Sequence, residues 1–190
     1  SSDVCSSDLE KPLGYLEKAI VKGWKCVLDA DFLTAMSTQT KKIQSLFKKA
    51  DPSQIVLTPH PKEAARLLGL EVNQIEKDRF KQVKKLSSQF HCTVVLKGKG
   101  TLIQAPSRPC IAVCSGDTGL SKGGTGDLLS GILGAFLAQG LSTESGVPLG
   151  VYVHGKVSER VTQIMGHPRS TLASDLASHI SDVLAELEKP

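Results

Sequence analysis

Between residues 119 and 131 the chain reads G-L-S-K-G-G-T-G-D-L-L-S-G, a glycine-rich turn running straight into an apolar helical stretch. Backbone amides at Gly124, Thr125 and Gly126, with the positive end of a helix dipole behind them, suit an anion, and glycines let the backbone approach it closely. Each dipole contact contributes only about 0.3–1 kcal/mol, so convergence matters more than any single amide. Asp127 follows directly. In a first helical turn it can serve as a dipole partner, and beside an anion-binding turn it can take a proton from a substrate hydroxyl. The pattern G-x-x-x-x-G-K-[ST] is absent, which excludes a Walker-type phosphate loop.

Three other polar segments follow short apolar runs. Asp29 and Asp31 come after 26–28, Thr58, His60 and Glu63 after 55–57, and Lys97-Gly98-Lys99-Gly100-Thr101 after 94–96. Each has a plain structural alternative. Asp29 and Asp31 either meet a ligand or cap the next helix. His60, between two prolines, is either a rigid turn residue or a ligand contact. Glu63 either favours its helix N-terminus or orients a Mg²⁺ ion through water. Lys97 and Thr101 alone would read as a solvated lysine and a strand former. Asp117 and Lys122 are rim residues without an assigned role. His154 reads as a core or subunit contact, and His91, His167 and His179 have no converging partners.

The elements that must carry these residues alternate. A helix is expected over 13–21, strands over 26–28, 55–57 and 94–96, a polar helix over 38–49, a helix opened by Pro61 and closed by Gly69, and a longer one over 74–89. Runs at 101–103 and 111–113, separated by Gly and Pro, suggest an antiparallel extension. Helices are expected over 125–139, over 144–165 with a break near Pro148, and over 172–188. Repeated helix–strand units imply an α/β fold with a mainly parallel sheet and helices on both faces. In such sheets ligands sit beyond the carboxyl ends of the strands, where the polar segments fall, so one rim is expected to hold them.

Composition narrows the partners. The chain has 190 residues, 40% apolar and 22% charged, which is ordinary globular usage. Its longest apolar stretch, 128–138, is short of the roughly 20 residues a membrane helix needs. The net charge of +4 combines +6 over 1–100 with −2 over 101–190. Most of the basicity lies in 77–85, whose helical spacing reads as a solvated face. With 4% aromatic residues there are few stacking platforms, so nucleic acid is discounted. Five cysteines without C-x-x-C spacing fit a reduced, cytoplasmic setting. Cys110 to Cys114 reads as a strand with small core thiols in place of a metal site.

Residues 1–9 lack the apolar region of a signal peptide. From Asp3 to Leu9 they resemble a translated sequencing-adapter read, so 1–9 are taken as non-native and 10–190 as the domain proper. Within that domain, Gly123-Gly124-Thr125-Gly126-Asp127 resembles the G-x-G-D anion hole of ribokinase-like proteins. T-P-H-P-K-E-A-A-R-L-L at 58–68, V-L-K-G-K-G-T-L-I at 95–103 and L-A-S-D-L at 172–176 are similar to ADP-dependent NAD(P)H-hydrate dehydratases, in the same order and spacing. Members of that family carry further N-terminal strands that this chain is expected to lack.

The resemblance implies a lyase that repairs hydrated NADH and NADPH at the expense of ADP or ATP with Mg²⁺. Phosphorylating the ring hydroxyl makes it a leaving group, and its departure re-forms the double bond, releasing AMP and phosphate when ADP is the donor. It implies Asp127 as base, His60 and Asp127 as substrate contacts, and Lys97, Gly98, Lys99, Gly100, Thr101, Gly124, Thr125 and Gly126 as nucleotide contacts. Glu63 is the candidate for the metal. The resemblance also implies a homo-oligomer, a tetramer, and an epimerase as partner or fused domain. Two other readings share these features. A hydroxyethylthiazole or hydroxymethylpyrimidine kinase would leave a stable phosphoester, and an inactive remnant would bind nucleotide without turnover.

Overall fold

The computed structural model describes residues 10–188. The chain divides into two compact units, Ser1–Ala112 and Val113–Pro190. The non-native reading of 1–9 lies outside the described residues.

The first unit alternates as its sequence demands. Helix α1 (Glu10–Val21) buries Leu13, Leu16, Ala19 and Ile20, the spacing of one helical face. Strand β1 (Cys26–Leu28) follows, then α2 (Asp31–Thr38), α3 (Thr40–Phe47) and β2 (Ile55–Leu57). Helices α4 (Pro61–Leu68), α5 (Val72–Lys77) and α6 (Arg79–Phe90) lead to β3 (Thr93–Leu96), β4 (Thr101–Gln104) and β5 (Ile111–Val113). The sheet order is β1-β2-β3-β4-β5, with β1, β2 and β3 parallel and β4 antiparallel to β3. Ile55, Leu57, Val94 and Leu96 join the core of α1 to α6 on one face, where Phe47 meets Phe90 edge-on at 6.3 Å. Val56 and Val95 point the other way and are equally buried, so continuous apolar runs cover both faces of the central strands.

The second unit is helical: α7 (Thr125–Ala138), α8 (Thr143–Met165), α9 (Ala173–Ser178) and α10 (Ile180–Leu187). Ile132, Phe136, Val153, Val157, Val161, Leu176 and Val183 form its core. At Gly150 an added Cβ would lie 2.7 Å from Leu133 Cδ2, so α7 and α8 meet closely there.

Several boundaries depart from the periodicity. The expected helix over 74–89 is two helices, because Asp78 leaves helical dihedrals (φ −149°, ψ 73°) and its carboxylate accepts the Lys81 amide at 3.0 Å as an N-cap. The helix expected over 172–188 likewise parts at His179. The break expected near Pro148 does not occur; packing of buried Val147, Gly150 and Val151 outweighs the one bond that proline cannot make. Helix α2 lies where no helix is expected, burying Leu33, Ala35 and Met36. Strand β1, whose apolar triplet alone would read as a buried strand, is half-buried because it pairs on one side only among the described residues. Cys110 and Cys114 are not both core thiols: β5 ends the sheet order, leaving Cys110 half-buried and Cys114 exposed.

Candidate functional site

Asp29, Thr58, His60, Glu63 and the 97–101 loop belong to the first unit, and Asp117, Lys122 and the 123–127 turn to the second.

In the first unit the carboxyl ends of three parallel strands are tied across one another. The Thr58 amide donates to the Leu28 carbonyl at 3.1 Å and the Lys97 amide to the Pro59 carbonyl at 2.9 Å. The Lys97 ammonium, at the end of β3, reaches Asp29 Oδ1 at the end of β1, 2.8 Å away, with both side chains largely shielded. Asp29 thus positions this lysine, a role its place in the sequence left open.

His60 is the N-cap of α4. Its Nδ1 accepts the amides of Lys62 (3.1 Å) and Glu63 (3.3 Å), which leaves the proton on Nε2, 3.3 Å from Glu63 Oε1. Glu63 Oε2 accepts the His60 amide at 2.8 Å, completing a capping box. The carboxylate is buried, with one oxygen accepting the His60 amide and the other lying near the His60 ring, so Glu63 is built as a helix-start residue. A hard carboxylate with lone pairs to spare still fits Mg²⁺ through a water, since that ion keeps most of its hydration and takes few protein ligands. Among the described residues no three His, Cys, Asp or Glu side chains group to hold a metal directly.

The loop after β3 reverses the chain into β4 with Gly98 at φ 147° and Gly100 at φ 68°, and Thr101 Oγ1 donates to the Gly98 carbonyl at 3.3 Å. Sequence reasoning missed its neighbour. Arg79, counted with a solvated basic run, donates from Nη1 to the Lys99 carbonyl at 2.5 Å and from Nη2 to the Leu96 and Lys97 carbonyls at 3.2 and 3.4 Å. Its signal in the sequence was its place right after the capping Asp78.

In the second unit Gly124, at φ 84°, is the N-cap of α7 and has no side chain to cap it, so no side chain occupies the first-turn amides. An added Cβ at Gly124 would lie 3.1 Å from Ala173 Cβ. Thr125 is buried and its hydroxyl lies 2.8 Å from both the Leu120 and Lys122 carbonyls, while its amide turns back to Lys122 at 3.4 Å. Lys122 donates to the carbonyls of Arg169 and Thr171. Asp127, the third residue of the helix, is exposed, and its carboxylate makes no hydrogen bond or ion pair among the described residues. The turn is braced by Asp117, whose Oδ1 accepts the Gly119 amide at 2.8 Å and the Ser158 hydroxyl at 2.7 Å. Partial burial pushes the Asp117 carboxyl upward, but hydrogen bonds, among them those from the Ser158 hydroxyl and the Gly119 amide, outweigh it and hold the group below the usual carboxylate range.

The mixed sheet and the glycine-opened helix with its exposed first-turn acid define the ribokinase-like class of α/β proteins. Within that class, the family model for NAD(P)H-hydrate dehydratase matches residues 9–182, through both units, and the chain belongs to that family. It is 39% identical over 153 residues to the ADP-dependent (S)-NAD(P)H-hydrate dehydratase of Neisseria meningitidis, which covers 80% of this chain and 50% of that protein. It is 37% identical over 174 residues to a bifunctional NAD(P)H-hydrate repair enzyme of Coxiella burnetii, 92% of this chain and 33% of that protein. A crystal structure of the ADP/ATP-dependent NAD(P)H-hydrate dehydratase of Bacillus subtilis, co-crystallized with ATP/Mg²⁺, superposes with a TM-score of 0.79 at 29% identity, covering 94% of this chain and 61% of that one. A hydroxyethylthiazole kinase from Pyrococcus horikoshii shares the fold at 22% identity and a TM-score of 0.66. The chain spans about a third to a half of the length of the curated relatives described here. No helix among the described residues is long and apolar enough to cross a membrane.

Proposed function

We propose that this chain carries out the nucleotide-dependent dehydration of hydrated NADH and NADPH through a phosphorylated intermediate. The observation that carries the reading is the pairing, in one helical turn, of amides that no side chain caps with the exposed carboxylate of Asp127, which has no partner among the described residues. Asp127 accepts the proton of the ring hydroxyl as that oxygen takes the phosphoryl group, a task typically worth about 10²–10⁴ in rate. The amides at Gly124 and Gly126 stabilise charge on the transferred group, and that of Thr125 joins them on exchanging its long bond to the Lys122 carbonyl for the anion. AMP is left when ADP is the donor; phosphate then departs with the C–O bonding pair, the neighbouring ring carbon gives up a proton to water, and the electrons of that C–H bond re-form the ring double bond.

The other roles fall to the first unit. Lys97, Gly98, Lys99, Gly100 and Thr101 bind the adenine nucleotide, ADP or ATP, with Lys97 held ready by Asp29. His60 contacts the hydrated dinucleotide. Glu63 holds Mg²⁺ through water, and the ion, when bound, neutralises phosphate charge. The names of the relatives support this reading over the kinase one. A cytoplasmic homo-oligomer, a tetramer, that works with an epimerase as partner or fused domain completes the proposal; light scattering tests the assembly.

The test is the near-ultraviolet absorbance of the reduced nicotinamide ring when the chain meets hydrated NADH, Mg²⁺ and ADP. A rise that requires nucleotide, releases AMP and phosphate, and vanishes in Asp127→Ala supports the proposal. A stable phosphoester product would indicate a kinase instead, and nucleotide binding without turnover would indicate a remnant.

A further inference from the structure

We propose that Arg79 is the positioning residue of the 97–101 loop: it sets the direction in which that loop's amides face a nucleotide. The inference rests on the reading of 97–101 as the nucleotide segment. The loop connects a parallel strand to an antiparallel one within four residues, so no helix follows it to organise its peptide groups. Arg79, the first residue of α6, supplies the organisation. A guanidinium carries five donors in one rigid plane, and here one plane engages the carbonyls of Leu96, Lys97 and Lys99. Its Nε, shielded from solvent, has no acceptor among the described residues, so the contacts through Nη1 and Nη2 orient the group.

The consequence follows from peptide geometry. The described residues contain no cis peptide, and in a trans peptide the carbonyl and the next amide point opposite ways. Drawing the Lys97 and Lys99 carbonyls toward Arg79 therefore turns the Gly98 and Gly100 amides away from it. Gly98 is shaped to this partner. A Cβ there would sit 2.8 Å from Nη2, and its φ of 147° is open to glycine and costly for other residues. A lysine at 79 would keep the charge but lose the planar fork, so charge and positioning are separable by substitution.

The experiment compares the unaltered chain with Arg79→Lys, Arg79→Gln and Lys97→Ala, reading amide hydrogen exchange across 97–101, the dissociation constant for ADP, and KM for ADP against kcat. In both Arg79 variants exchange over 97–101 is expected to quicken while that of α7 holds, and the ADP dissociation constant and KM to rise about tenfold with kcat nearly unchanged. Unchanged exchange overturns the proposal. Quickened exchange with unchanged ADP affinity, while Lys97→Ala weakens binding, also overturns it and leaves the nucleotide reading standing. If neither Lys97→Ala nor the Arg79 variants alter ADP binding, the nucleotide reading of the loop falls, and the positioning role with it.

Discussion

The molecule carries two glycine loops suited to anions, and they are built by opposite means. At 97–101 the charge is on side chains: Lys97 is held by Asp29 and the loop backbone is gripped by Arg79. At 123–127 the cation is spent elsewhere. Lys122 donates to the Arg169 and Thr171 carbonyls, and the turn relies on open amides and the dipole of α7. The difference follows from what comes next in the chain. A loop that opens a helix inherits aligned amides, whereas a loop between two strands needs a planar donor from another element to align its own.

The largest expected effect tests the chemical side of this contrast. Asp127→Asn should lower turnover by about 10²–10⁴ while leaving the ADP dissociation constant within about threefold, because the proposed function puts the acid on the helix loop and the nucleotide's cation on the strand loop. Steady-state rates beside calorimetric titration check it. Equal losses in both would break the division of labour.

The two lysines sharpen the comparison. Lys97→Ala should weaken ADP binding about tenfold and flatten its salt dependence, as the loss of one charged hydrogen bond predicts. Lys122→Ala should instead cost about 1–3 kcal/mol of stability, by urea unfolding, since it leaves the Arg169 and Thr171 carbonyls without their donor. If Lys122→Ala weakened ADP binding without loss of stability, the second loop would also bind through its cation.

The brace of the helix loop is sensitive to acid. The Asp117 carboxyl is depressed in the folded state, so its contribution is present above the unfolded value of about 3.9 and is lost as pH falls through the lower folded value. Melting temperatures followed downward from pH about 5 should therefore fall more steeply in the unaltered chain than in Asp117→Asn. Identical acid limbs would remove Asp117 from the loop's support. The smallest effect is expected at a residue that belongs to neither loop. Gly69→Ala, at the left-handed C-cap of α4 (φ 63°) with open space around it, should cost about 1 kcal/mol and leave ADP affinity unchanged.

Much of this was legible in the residues. Strands at 26–28 and 55–57 have the bounds their apolar triplets predict, and Pro61 and Gly69 delimit α4 as the capping rules require. The glycine turn that opens α7 was readable because glycine spacing, helix start and acid are all local. Helix α2 was not, since 31–38 lacks a strong period and is held by the burial of Leu33, Ala35 and Met36 against the core. Asp78 carried a cap signal that the surrounding basic run obscured.

What the sequence alone determined is therefore what neighbouring residues decide together: the elements, the caps, the two glycine loops and the residue types that could do chemistry. Tertiary structure decided which partner each of those residues received. Asp29 and Lys97 lie 68 positions apart, Arg79 stands 20 before the carbonyl of Lys99, and Ser158 follows Asp117 by 41. Spacing along a chain constrains contacts within a helix turn or a hairpin. Ion pairs and hydrogen bonds over such separations exist only once parallel strand ends or packed helices bring their owners within about 3 Å.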